Sequence, residues 1–261
     1  MKRIISVFLA LVFVFSLTGC TSLIPSPNSE IADKSASDTP TVSDSNAPQE
    51  PLSGSTSEGS AAYEITDSRA VLWIDSIGTQ WVQTIVEISN TGSEALYLGS
   101  GSYDLEDSAG NLIASQSLVS SYPNILAPGE KGYMYEETTL DKDVEGELTV
   151  IPRENVEEAK VDLIRLPVSD TELSDGTYGG VKMLGRVEND TDEAQSMVYI
   201  VAFLFDDSGV CIGELFTILM DDLAAGDQIG FEMSSFSLPD SITTASVAEY
   251  VVYAFPYQYQ F

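Results

Sequence analysis

One pattern of short strands and turns occurs twice along this chain, and that duplication limits the architecture more than any other feature. Val82-Gln83-Thr84-Ile85-Val86-Glu87-Ile88 leads into the turn Ser89-Asn90-Thr91-Gly92, and Val181 to Thr191 repeats it with Asn189 on Asn90. Asp107-Ser108-Ala109-Gly110-Asn111-Leu112-Ile113 returns as Asp207-Ser208-Gly209-Val210-Cys211-Ile212, and Leu126 to Glu130 returns as Leu223 to Asp227. The three landmarks keep their order at an offset of 97 to 100 residues. Runs of alternating or wholly apolar β-formers separated by Asn-, Asp-, Gly- and Pro-rich turns specify strands, and no segment sustains a helical period. The expected fold is all-β, with two tandem β-sandwiches at residues 63–152 and 156–261 joined near Pro152-Arg153-Glu154-Asn155.

The strands carry further detail. In Trp81–Ile88, Val82, Thr84, Val86 and Ile88 share one face, and Gln83, Ile85 and Glu87 share the other. Met197-Val198-Tyr199-Ile200-Val201-Ala202-Phe203-Leu204-Phe205 is apolar on both faces. In a two-sheet sandwich one face is normally wet, so the outer face of this strand is expected to pack on the other sandwich or on a ligand. Pro256 should end the last strand and leave Tyr257, Tyr259 and Phe261 as an exposed aromatic ribbon, the candidate binding residues.

The N-terminus addresses location. Lys2 and Arg3 precede the apolar run Ile4–Phe15, which is too short for a comfortable spanning helix and fits an export signal. Leu17-Thr18-Gly19-Cys20 follows and resembles the bacterial lipobox. The resemblance implies a signal peptide at 1–19, lipidation of Cys20, and a lipid-anchored protein on the extracytoplasmic face of the cell membrane. Residues 20–62 are rich in Ser, Thr, Pro and acids and contain no aromatic residue. They are expected to be a disordered tether.

Composition excludes several functions. The chain holds 11 Lys and Arg against 41 Asp and Glu; from Cys20 on it carries 9 basic and 41 acidic residues, a net charge of −32. That charge opposes binding to nucleic acid and electrostatic adsorption to anionic lipid, so membrane attachment falls to the acyl chains. There is no histidine, which removes Ser-His and Cys-His nucleophiles and His-ligated metals. Only two cysteines occur. With Cys20 lipidated, Cys211 has no disulfide partner and reads as a buried structural thiol in an apolar strand. No catalytic residue, metal ligand or cofactor is assigned, and the chain is expected not to be an enzyme.

Three acidic loops, Asp190-Thr191-Asp192-Glu193, Asp206-Asp207 and Asp221-Asp222, are candidates for Ca²⁺, although none has the spaced Asp-x-Asp-x-Asp-Gly form.

The second unit resembles the FxLYD-type domain of bacterial envelope lipoproteins. The residues that carry the resemblance are Gly185, Val187, Asn189, Ala202-Phe203-Leu204-Phe205-Asp206, Gly209, Leu223 and Gly226. Leu204-Phe205-Asp206 stands for the Leu-Tyr-Asp of the name, and Ala202 replaces the leading Phe. The first unit is more distant, with Asp104-Leu105-Glu106 at that place. The resemblance implies immunoglobulin-like sandwiches at the cell surface and supplies no catalytic residues. The expected function is a non-enzymatic anchored lipoprotein that presents two modules to an envelope protein or a wall polymer. A Ca²⁺-dependent or carbohydrate-binding module is the alternative, and a carboxylate or Ser-Lys hydrolase is a third reading.

Overall fold

The computed structural model describes residues 61–140, 142–176, 180–234 and 238–260. The expected signal peptide, Cys20 and the expected tether before Ala61 lie outside the described residues, as does Phe261.

The described chain is all-β; its only helical element is a single 3₁₀ turn at Thr244–Ser246. Eight strands build the first sandwich: β1 (Tyr63–Ile74), β2 (Gln80–Asn90), β3 (Leu96–Glu106), β4 (Leu112–Val119), β5 (Ser121–Tyr122), β6 (Ile125–Leu126), β7 (Lys131–Thr139) and β8 (Thr149–Glu158). One sheet runs β1-β2-β7-β5. In the other, β3 pairs with β4 and β6 on one side and with β8 on the other. Six strands build the second sandwich: β9 (Val168–Asp175), β10 (Val181–Glu188), β11 (Val198–Phe205), β12 (Cys211–Leu219), β13 (Gln228–Ser234) and β14 (Glu249–Pro256). Its sheets run β13-β10-β9 and β12-β11-β14, and all strand pairs are antiparallel.

β8 differs from the sequence reading. It does not stop at Pro152 but continues to Glu158, paired with β3 from Thr149↔Glu106 to Glu158↔Leu96. β8 lies at a sheet edge, where the missing proline N–H costs no ladder bond. Ala159 N still donates to Ala95 O, so the chain stays on the first sandwich past residue 155.

The duplication is visible bond by bond. Asn90 Nδ2 donates to Glu94 O and Leu126 O at 2.8 and 3.2 Å, and Asn189 Nδ2 donates to Glu193 O and Leu223 O, both at 2.8 Å. Asn90 N and O join Glu130 O and Gly129 N; Asn189 N and O join Asp227 O and Gly226 N. Each asparagine is buried and ties its own loop to the Leu126–Glu130 or Leu223–Asp227 connection at one end of its sandwich.

The turns correct one alignment. Asp107 Oδ1 accepts from Ala109 N and Asn111 N, and it is Asp206 Oδ1, not Asp207, that repeats this with Ser208 N and Val210 N. The counterpart of Leu204-Phe205-Asp206 is therefore Leu105-Glu106-Asp107, one residue later than Asp104-Leu105-Glu106.

Each sandwich has its own core. Val82, Val86, Leu98, Tyr103, Leu105 and Met134 fill the first; Met183, Val187, Ile200, Leu204, Leu215 and Phe231 fill the second. A third cluster joins them: Ile85 and Tyr133 from β2 and β7 meet Val201, Phe203, Cys211 and Phe255 from β11, β12 and β14. The described residues thus form a stack of four sheets, and the two inner sheets are covered on both faces. This explains why β2 is almost wholly buried and why β11 is apolar on both sides.

Candidate functional site

The seam between the inner sheets gathers most of the unusual chemistry. Its aromatic end starts in the β11–β14 register, which sets Tyr199 opposite Phe255. Their rings stack at 6.1 Å, and Tyr122, from the first sandwich, lies 5.3 Å from Phe216 and 5.9 Å from Tyr199. Tyr257 packs on Tyr199 at 4.7 Å, and Tyr259 packs edge-on against Tyr257 at 4.8 Å. The result is a graded column: Tyr199 and Tyr257 are half-buried, and Tyr259 is 59% exposed. Burial and then the neighbouring phenols push the Tyr257 hydroxyl upward, and burial pushes Tyr122 to about 12.

Pro256 does end β14, but the residues after it are fastened rather than loose. Tyr257 N donates to Met197 O at 3.3 Å, and Asn124 Nδ2 of the first sandwich donates to Gln258 O at 2.8 Å. Gln260 Nε2 donates to Glu158 O and Glu157 Oε2 at 3.0 and 3.2 Å, while its Oε1 accepts from Lys160 N at 2.7 Å. The tail of the second sandwich is therefore bound down on the first.

Arg165 locks the same region. Its guanidinium sits 5.5 Å over Tyr253 and 5.6 Å over Phe255, pairs with Glu130 at 2.9 Å and donates to Ile125 O. Such a cation, held by two rings and one carboxylate, is stronger than an exposed ion pair.

Two grooves open along the seam. One, of about 340 Å³, is lined by Glu87, Lys131, Tyr133, Phe205, Glu249 and Tyr253. Burial pushes Glu87 upward, but Lys131 at 2.5 Å, Thr66 at 2.5 Å and Tyr133 at 2.9 Å outweigh it, and its carboxyl lies below the usual range. Glu87 is spent on this network and is not free to act on a ligand. The other groove, of about 400 Å³, is bounded by Arg69, Gln83, Cys211, Ile212, Pro239 and Ile242. Burial raises the Cys211 thiol to about 12, which makes it a poor nucleophile.

β12 also carries a buried acid, Glu214. The residue is partly exposed, but its Oε2 is enclosed and has no hydrogen-bond partner. Burial, then Glu137, then Glu136 push its carboxyl well above the ordinary value. Tyr135 donates to Glu137, and Gln83 Nε2 donates to the Tyr135 hydroxyl at 2.9 Å.

No family model matches the chain, and no curated protein matches it. Among solved structures, the chain is similar to the N-terminal CBM22-1–CBM22-2 tandem domain from Paenibacillus barcinonensis Xyn10C. Identity is 11%, over 78% of this chain and 88% of that one, with a TM-score of 0.16. A score that low says nothing about a site, and the tandem-sandwich assignment rests on the chain's own sheets.

The calcium candidates do not converge. Among the described residues no three Asp, Glu or Cys side chains are grouped to hold a metal ion. Asp206 is already committed to Ser208 N and Val210 N. Glu214 and Arg165 were not marked by the sequence, because both lie in runs whose pattern gives no sign of which groups face the seam.

Proposed function

We propose that the chain is a non-enzymatic, lipid-anchored envelope protein that offers the Tyr199–Tyr257–Tyr259 column to an envelope protein or a wall polymer. The lipobox-like Cys20 supplies the anchor and residues 20–62 the tether. The observation that carries the binding reading is the fastening of the tail. Asn124, Glu157, Glu158 and Lys160 hold residues 258–260 in place, so Tyr259 stands in one pose before any ligand arrives. A preorganised aromatic costs less ordering entropy on binding than a loose tail would. The enclosed carboxyls, the spent Glu87 and the poor Cys211 nucleophile speak against catalysis at the seam.

A carbohydrate-binding reading has one observation in its favour: an exposed tyrosine ring backed by a second ring is suited to stacking on a sugar. Two measurements test the proposal. Cys20→Ser should release the protein from the membrane fraction into the medium; retention would refute the anchor. Tyr259→Ala should leave the melting temperature unchanged and abolish binding of intact-cell crosslinked partner or of sedimented wall polymer. Unchanged recovery of both would refute the platform.

A further inference from the structure

The described residues contain three turns of one construction. In each, an aspartate N donates to the carbonyl four residues on, its own carbonyl accepts from a glycine three residues on, and its Oδ1 accepts from the amides two and four residues on. They are Asp75–Thr79, Asp107–Asn111 and Asp206–Val210, with glycine φ values of +90°, +78° and +77°. All three bond sets are complete at distances of 2.8 to 3.0 Å. The third residue of the turn points away from the fold in every case, and the turn does not depend on its side chain. Two of the turns place Ala109 and Ser208 there, both exposed. The first places Ile77, at 87% exposure, and is preceded by Ile74 at 62%.

An isoleucine at a turn apex gains nothing for folding, since exposed apolar area is unfavourable and turn apexes favour small polar residues. The support beneath it is stiff. Trp73 and Trp81 stack at 5.7 Å and 14°, and Trp81 Nε1 donates to Asp75 Oδ2 at 3.0 Å. The β1–β2 ladder is in register up to Ile74↔Gln80. The tip is thus held rigidly, roughly 35 Å along β1 from Tyr63, where the chain enters the fold.

Charge selects the occupant. Gln80 bonds Val144 through both N–H···O directions, which brings the exposed Lys142, Asp143, Glu145 and Glu147 beside the tip. Three acids against one lysine, on a chain of net charge −30, disfavour an anionic bilayer. They suit an apolar pocket with a basic rim. We infer that the Ile74–Ile77 tip of the β1–β2 hairpin is a second docking point, inserted into an apolar, Lys/Arg-rimmed pocket of a partner protein. It lies apart from the tyrosine column and holds whether or not that column binds.

The test uses the full-length chain on intact cells, with a photo-crosslinking residue at position 77 and, in separate variants, at 109 and 208. One discrete protein adduct from 77 alone is expected. That partner, purified, should bind roughly 10- to 100-fold more weakly to Ile77→Ser, the loss from one fully buried isoleucine. Its affinity should also fall with added salt, and the variant's melting temperature should not move. The inference is overturned by no adduct, by equal adducts from all three positions, by an adduct with a second copy of this chain, or by salt-independent binding. Flotation with vesicles of mixed neutral and anionic phospholipid that is lost in Ile77→Ser would assign the tip to a membrane and overturn it as well. Tyr259→Ala should leave the adduct intact, which separates this site from the platform.

Discussion

Replacing Glu214 with glutamine should stabilise this protein at neutral pH, and the gain should vanish in mild acid. Burial, then the negative charges of Glu137 and Glu136, keep the folded carboxyl protonated well above its ordinary 4.5. In the unfolded chain the same group ionises near that ordinary value. The folded state therefore holds the extra proton, and stability falls as pH rises above 4.5 until the folded carboxyl also ionises. The slope is at most about 1.4 kcal/mol per pH unit, so from about pH 5 to about pH 7 this group removes no more than about 2.5 kcal/mol. Glutamine keeps the shape and has no proton to lose. Glu136, also pushed upward by burial, stays in both proteins, so the difference between the two curves reports Glu214 and its coupling to Glu136. The assay is urea unfolding at constant ionic strength across that pH range. Free energies that converge near pH 4.5 and separate steadily above it are expected. Parallel curves would show that Glu214 titrates alike in both states and would refute the reasoning; so would a variant less stable at every pH.

Other perturbations have defined outcomes. Asn90→Ala and Asn189→Ala should each cost about 1–3 kcal/mol by removing the two carbonyl hydrogen bonds that the buried amide donates, and the double variant should be additive in urea unfolding because the sites lie in separate sandwiches. Phe203→Ala should cost about 3–5 kcal/mol, since the ring is fully buried at the seam against Tyr133 at 4.4 Å. Glu87, held below its ordinary value, contributes stability that is present above that value and lost as pH falls through its folded range; Glu87→Gln should flatten the acid limb of a pH-stability curve.

Much of the fold was legible because β-structure writes itself at short range. Alternation fixed the faces of β2, and the Asn90/Asn189 and Asp-Gly turns announced the duplication through residues that a turn needs chemically. The two-sided apolar run of β11 correctly pointed to a cover on its outer face. The end of the first sandwich was not legible, because a proline is tolerated at an edge and the sequence does not say that β8 is one. The Asp206 register was hidden by two adjacent aspartates, and only the hydrogen bonds distinguish them. The tyrosines of the tail were legible as residues but not as a fixed column, since Asn124 and Lys160 are remote in sequence from Gln258 and Gln260. Glu214 alternates like any strand residue, and only the packing of one sheet on the other encloses it.

The doubly covered inner sheets bear on how such a chain could have arisen and been modified since. Two copies of an ancestral sandwich that each kept a polar outer face could be shuffled, lost or multiplied like beads. These two have traded that freedom for a shared hydrophobic face through Ile85, Tyr133, Phe203 and Phe255. Either copy expressed alone would bare that face to solvent and should be prone to self-association. A swap of one copy would have to carry its matching surface with it to keep that shared face covered.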